Sequence, residues 1–112
     1  MPQRIIEMRK FEYRHPRHRT DVPIAVRLAS TYSIFGRCTD VSAEGIGVRF
    51  AEGLHIGEIV NVEFSLEGYL INAIARIEYC HNGNYYGMSF QFSSEQERTA
   101  LRQLIESIHK IK

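Results

Sequence analysis

A chain of 112 residues has the length of one domain, and its shares of hydrophobic residues (44%) and charged residues (24%) are ordinary for a globular protein. A net charge of +1 argues against a protein that coats DNA or RNA, and no apolar run approaches the roughly 20 residues of a transmembrane helix. Since the N-terminus also lacks a segment of signal-peptide type, we expect a cytoplasmic protein that does not insert into membranes.

The positive charge is concentrated at the start of the chain. Residues 1–20 contain six basic and two acidic side chains, whereas the remainder contains eight basic and eleven acidic ones. This first stretch is polar and has no hydrophobic periodicity, so it is predicted to form an irregular basic arm that precedes a folded region over residues 21–112. A short basic arm on a nearly neutral body suits a compact anionic ligand better than a long polyanion.

Six segments with alternating apolar and polar residues follow the arm, and alternation of this kind predicts half-buried β-strands. They cover residues 24–28, 32–39, 46–50, 60–66, 71–79 and 86–92. In the fifth, the predicted inward series runs from Ile71 to Tyr79. Glu67-Gly68 and Asn82-Gly83 predict tight hairpin turns, because both glycine and asparagine tolerate positive φ angles. The spacing of strands and turns predicts an antiparallel barrel or sandwich.

The C-terminal segment changes to helical periodicity. Ser94 and Glu97 fit a capping box, with the serine at the N-cap and the glutamate at N3. Apolar residues then recur at helical spacing from Leu101 to Ile111. We expect one amphipathic helix whose apolar stripe covers an open mouth of the barrel.

Catalytic and metal sites lack support in the sequence. Cys38 and Cys80 form no Cys-x-x-Cys pair, and no two of the five histidines have metal-ligand spacing on a predicted helix. Ser42 lacks the glycine context of a nucleophile, and phosphate-binding glycine loops are absent. We therefore expect reduced cysteines on strands, no metal, no cofactor and no enzymatic activity.

Two segments carry the recognition chemistry. Residues 13–19 are rich in arginine, whose planar fork pairs bidentately with phosphate and with the O6 and N7 acceptors of guanine. Residues 40–45 are predicted to form a loop with the pattern Asp-x-Ser-x-x-Gly. A carboxylate such as Asp40 can accept from the N1–H and N2–H groups of guanine. The Ser42 hydroxyl suits a phosphate or a backbone group, and Gly45 lets the chain approach a flat ligand or adopt positive φ.

Together the two segments resemble the PilZ domain, a family of bacterial cyclic di-GMP receptors. The family has the motifs RxxxR in a flexible arm and (D/N)xSxxG on the barrel. Asp40, Ser42 and Gly45 match the second motif in full. For the first motif, Arg17 takes the second arginine position and Tyr13 stands where the first arginine is expected. The resemblance covers roughly residues 13–108, including the late strand and the closing helix.

The resemblance implies a fold and a function. The fold is a six-stranded antiparallel β-barrel over residues 21–112, with one C-terminal helix and a flexible arm over residues 1–20. The function is binding of cyclic di-GMP without catalysis, with an arm that rearranges on binding and signals to an unidentified partner protein. A monomer or weak dimer is expected. The implied ligand-binding residues are Arg14, Arg17, Arg19, Asp40, Ser42 and Gly45.

Two alternatives remain open from the sequence. PilZ domains without the arginine motif can be interaction modules that bind no dinucleotide, for example motility or secretion adaptors. A small barrel that binds single-stranded nucleic acid is the other alternative. It requires aromatic side chains on the outer sheet face beside basic ones, whereas the aromatic residues here fall mostly on the predicted inner faces.

Overall fold

The computed structural model describes residues 17–28, 33–50 and 53–111. The described residues form six antiparallel strands in a closed barrel of order β1-β2-β3-β6-β5-β4, followed by helix α1. The predicted barrel and C-terminal helix are confirmed. The elements are β1 (His18–Arg27), β2 (Ser33–Val41), β3 (Gly45–Arg49), β4 (Ile59–Leu66), β5 (Tyr69–His81), β6 (Tyr85–Gln91) and α1 (Glu95–Ile111).

The first strand begins earlier than the sequence pattern indicates. β1 starts at His18, so the last three residues of the predicted arm belong to the barrel, where His18 lies opposite Val41 and Arg19 opposite Asp40. The backbone pairing with β2 fixes these residues, although no hydrophobic alternation marks them. Tyr13 and Arg14 lie outside the described residues.

The core is formed by the inward side chains of all six strands together with the helix. Alternation is visible in β4, where Val60, Val62, Phe64 and Leu66 are all buried. Tyr79 is an exception to the predicted series in β5, because the β5–β6 register shifts between Ile77 and Tyr79. This irregularity gives the tyrosine an outward position, with 36% of its surface exposed. The predicted inward placement of Tyr79 is therefore wrong.

Helix α1 packs its apolar stripe on the barrel, as predicted. Ile105 and Ile108 are buried in the same core as the strand residues, and Leu101 and Leu104 are partly buried against it. No helix within the described ranges is long and apolar enough to cross a membrane. Both cysteines are free, Cys38 buried on β2 and Cys80 half-buried on β5.

The predicted hairpin turns are confirmed by their backbone angles. Glu67 and Gly68 have φ values of 51° and 87°, and they join residues that are paired across β4 and β5. Asn82 and Gly83 have φ values of 55° and 76° in the connection between β5 and β6. Positive φ at both central residues gives a turn whose twist matches that of the flanking strands.

The helix begins with the predicted serine cap. The Glu97 N–H donates to the Ser94 hydroxyl oxygen at 3.1 Å. The reciprocal bond differs from a capping box by one residue, since the Glu97 carboxylate accepts from the N–H of Ser93 at 2.8 Å. One serine and one glutamate thus satisfy two N–H groups at the helix start.

We expect Ser94→Ala to lower the free energy of unfolding by about 1 kcal/mol, because an N-terminal N–H of the helix loses its acceptor. Urea denaturation followed by circular dichroism measures this change. Ser107→Ala is the matched control, since Ser107 lies exposed in the helix interior, where alanine is the better helix former. Equal unfolding midpoints for the Ser94 variant and the parent would contradict the capping role.

Candidate functional site

The loop predicted over residues 40–45 is shorter in the structure. Asp40 and Val41 end β2 and Gly45 begins β3, so only the three residues between them form the loop. Ser42 is buried, and its hydroxyl accepts from the N–H groups of Glu44 at 3.2 Å and Gly45 at 3.3 Å. The Ser42 N–H donates to the Gly45 carbonyl at 2.9 Å. In this structure the serine therefore holds the loop backbone together.

The packing of β3 against β6 explains why residue 45 is a glycine. A Cβ atom there would lie 2.0 Å from the Met88 carbonyl oxygen, because β3 passes very close to β6 at this point. Its φ is not in the left-handed region. Close approach of two backbones, which the sequence pattern does not predict, therefore accounts for the glycine.

Asp40 is the centre of the polar contacts at this end of the barrel. Arg17 donates through Nη1 to Oδ1 of Asp40. The Tyr85 hydroxyl donates to Oδ2 at 2.6 Å, and Thr39 Oγ1 lies 3.3 Å from the same oxygen. The Asp40 side chain is 17% exposed, and the β2–β3 register shifts just before it. The carboxylate is thus held between a guanidinium and a phenol at the barrel surface.

Burial and the hydrogen bond to Asp40 both raise the pKa of Tyr85, burial being the larger cause. The phenol therefore stays protonated at neutral pH and acts as a donor to the carboxylate. Gly47 leaves the space for this contact, since a Cβ atom there would lie 2.0 Å from the Tyr85 hydroxyl and 2.3 Å from Asp40 Oδ2.

An aromatic cluster, formed by Tyr79, His81 and Tyr85, lies beside the carboxylate. The Tyr79 and His81 ring centroids are 5.0 Å apart, and the His81 and Tyr85 rings are stacked at 6.4 Å with 20° between their planes. Tyr79 packs directly on Gly87, where a Cβ atom would lie 2.2 Å from the tyrosine ring. The sequence analysis does not predict this cluster. The signal for it is the pair His81 and Tyr85, which lie opposite each other across the turn at residues 82–84.

The predicted arginines have different placements. Arg17 contacts Asp40 directly, and its side chain is 44% exposed. Arg19 is an exposed β1 residue opposite Asp40. Arg14 lies outside the described residues. The ion pair with Asp40 thus holds Arg17, a residue of the predicted arm, against the barrel.

The family model for the PilZ domain matches residues 12–107, which is most of the chain. The chain belongs to the PilZ domain family. A comparison with curated proteins finds no significant match.

Solved structures show the same fold. The PilZ domain of YcgR from Escherichia coli with c-di-GMP is 15% identical, with a TM-score of 0.69 over 87% of this chain and 91% of that one. The PilZ domain of CeSA from a cellulose-synthesizing bacterium is 20% identical, with a TM-score of 0.65 over 86% and 97%. The MrkH–c-di-GMP complex of K. pneumonia is 17% identical, with a TM-score of 0.65 over 88% and 53%. The PilZ barrel thus accommodates highly divergent sequences.

Proposed function

We propose that this PilZ domain binds cyclic di-GMP at the surface around Asp40 and acts as a receptor module without catalysis. The observation that carries the proposal is the convergence of Arg17, Asp40 and Tyr85, which brings the two family motifs into contact beside an aromatic cluster. The dinucleotides in the YcgR and MrkH structures support the choice of ligand.

Recognition of guanine begins at the carboxylate. The two Asp40 oxygens match the N1–H and N2–H donors on the Watson–Crick edge of guanine. In the free protein Arg17 and Tyr85 already use these oxygens, so the ligand exchanges one set of hydrogen bonds for another. An exchange has a smaller net free energy than new bonds to an empty carboxylate. We therefore expect moderate affinity.

Arg17 exchanges one partner for another when guanine takes its place on Asp40. Its planar fork is then available for a phosphate, with which it forms a charge-assisted, bidentate contact. Arg14 and Arg19 are the other arginines proposed to contact the ligand. Because these contacts are between opposite charges at an exposed surface, affinity is expected to fall as ionic strength rises.

The aromatic cluster supplies a stacking surface for a base. Tyr79 and His81 lie on the outer face of β5, on the side where Asp40 meets Tyr85. Stacking of a base on an aromatic ring contributes about 1–3 kcal/mol and tolerates any base. Selectivity for guanine is therefore assigned to Asp40, and part of the binding energy to the cluster.

The signal is proposed to leave the domain through the arm. Transfer of Arg17 from Asp40 to a phosphate changes the anchor of the segment that precedes β1, and a partner protein in the cytoplasm then recognises the altered surface. In limited trypsin digestion, ligand-dependent protection after Arg14 and Arg17 would support this step, and an unchanged cleavage pattern with bound ligand would contradict it.

Isothermal titration calorimetry with cyclic di-GMP tests the proposal. We expect saturable heat at tens of micromolar protein, with a dissociation constant that increases with salt. Cyclic di-AMP is the control, because adenine lacks the paired N1–H and N2–H donors that match the carboxylate. The absence of heat with cyclic di-GMP, or equal affinity for the two dinucleotides, would overturn the proposal.

A further inference from the structure

Arg49, which belongs to neither family motif, lies on the outer surface close to the candidate site. It is exposed at the end of β3 and is paired with Tyr85 on β6. Its guanidinium carbon lies 5.7 Å from the centre of the Tyr85 ring. The same tyrosine donates to Asp40, so a single side chain contacts both the arginine and the carboxylate.

The charge environment of Arg49 is unusual. Arg37 lies directly opposite it on β2, and like charges in this position destabilise a strand pair. Arg37 is compensated, because its Nε donates to Asp21 Oδ1 at 2.9 Å and its Nη2 donates to the Asp21 carbonyl at 3.0 Å. Within the described part of the chain, Arg49 makes no ion pair with a carboxylate. An anion beside Arg49 would relieve this repulsion.

We propose that Arg49 is a further ligand-binding residue that contacts a phosphate of the dinucleotide bound at Asp40. This inference rests on the proposed function. The face of the guanidinium is held by the Tyr85 ring, which leaves the N–H edge for a phosphate. Arg49 lies two residues beyond Gly47 on the outer face, and Gly47 is paired with Asp40. A cyclic dinucleotide with one guanine on the carboxylate is expected to place a phosphate near this part of the outer face.

Arg49 could also compensate for the arginine that the first position of the arm motif lacks, where Tyr13 stands instead. The chain has no arginine at the first position of the arm motif, and a guanidinium supplied by β3 gives the ligand a further cationic contact that does not depend on the arm. The backbone of a strand residue is already fixed by pairing on both sides, so a ligand contact at Arg49 has a smaller backbone-entropy cost than one on an irregular segment.

Calorimetric titration with cyclic di-GMP at several salt concentrations tests the role of Arg49. Arg49→Ala is expected to raise the dissociation constant about tenfold and to make the salt dependence shallower, because one charge-assisted contact to phosphate is lost. Arg49→Lys, which keeps the charge without the planar fork, is expected to lose about threefold. Arg27→Ala, the loss of an exposed arginine elsewhere on the barrel, serves as the matched control and is expected to bind as the parent does.

The outcomes separate this inference from the proposed function. A parent protein that gives no heat overturns both. A parent that binds, together with an Arg49→Ala variant of equal affinity, overturns the role of Arg49 alone. Weaker binding with an unchanged salt dependence also overturns it, because Arg49 would then act only by supporting Tyr85. Thermal melts of each variant establish that the barrel is folded under the titration conditions.

Discussion

Asp40→Ala is expected to weaken binding of cyclic di-GMP by a factor on the order of 100, because the guanine edge loses both acceptors of a charged hydrogen-bonding pair. The parent carboxylate is fixed by Arg17 and Tyr85, so it is oriented before the ligand arrives. Calorimetry or fluorescence titration measures the change in the dissociation constant.

Two further variants separate the hydrogen bonding of Asp40 from its contribution to net charge. Asp40→Asn keeps the shape and one acceptor, and asparagine also satisfies the family motif, so a loss of only about tenfold is expected. Glu106→Ala removes a carboxylate from the exposed face of the helix and makes the same change in net charge, and it is expected to leave affinity unchanged. If Asp40→Ala bound the dinucleotide as tightly as the parent, guanine recognition by this carboxylate would be excluded.

Gly45→Ala is expected to lower the free energy of unfolding by about 1–3 kcal/mol. A methyl group at this position meets the backbone carbonyl of Met88 at 2.0 Å, and a backbone atom of a paired strand cannot move aside as a flexible side chain can. The strands must separate or bend to accept it. Chemical denaturation measures the change through the unfolding midpoint.

A glycine elsewhere provides the control for Gly45. Gly53 has open space around its Cβ position and no positive φ, so Gly53→Ala is expected to be neutral or slightly stabilising. An unchanged midpoint for Gly45→Ala would contradict the packing role and favour a direct ligand contact by the motif glycine instead. The pair of variants thus distinguishes two reasons for the same motif residue.

The strands, both turns and the helix could be predicted from the sequence because each leaves a local signal. Alternation indicates β4 from Val60 to Leu66. Asn82 and Gly83 are residue types that tolerate positive φ and so indicate the turn, and Ser94 indicates the start of the helix. The early start of β1 leaves no such signal. It depends on pairing with β2, which is a long-range property of the closed barrel.

The candidate site could be predicted only in part. The two motifs predict that Asp40 and Arg17 bind the same ligand, and the structure brings them into direct contact. Tyr85 is 45 residues from Asp40 in the sequence, so the closure of β3 on β6, which brings the two together, could not be inferred from spacing. The alternation in β5 predicts an inward Tyr79, and this prediction is wrong because the register shifts between Ile77 and Tyr79 with no glycine or proline to mark the shift.

The structure also distinguishes two kinds of residue within the motif. Ser42 and Gly45 stabilise the loop and the β3–β6 contact, whereas Asp40 is the motif residue whose side chain is partly exposed at the barrel surface. A pattern of residue types does not reveal this difference, because serine and glycine serve either purpose. The hydrogen-bond partners and the close backbone approach are what separate them.

The most direct test of the account is a titration of ¹⁵N-labelled protein with cyclic di-GMP, followed by two-dimensional NMR. We expect the largest amide shift changes at residues 17–20, 39–47 and 79–87, the strand ends that carry Arg17, Asp40 and the aromatic cluster. The outer face around Phe35 and Leu70 is expected to stay unchanged. A spectrum unaffected by the dinucleotide, or shift changes confined to the surface around Phe35 and Leu70, would contradict the proposed site.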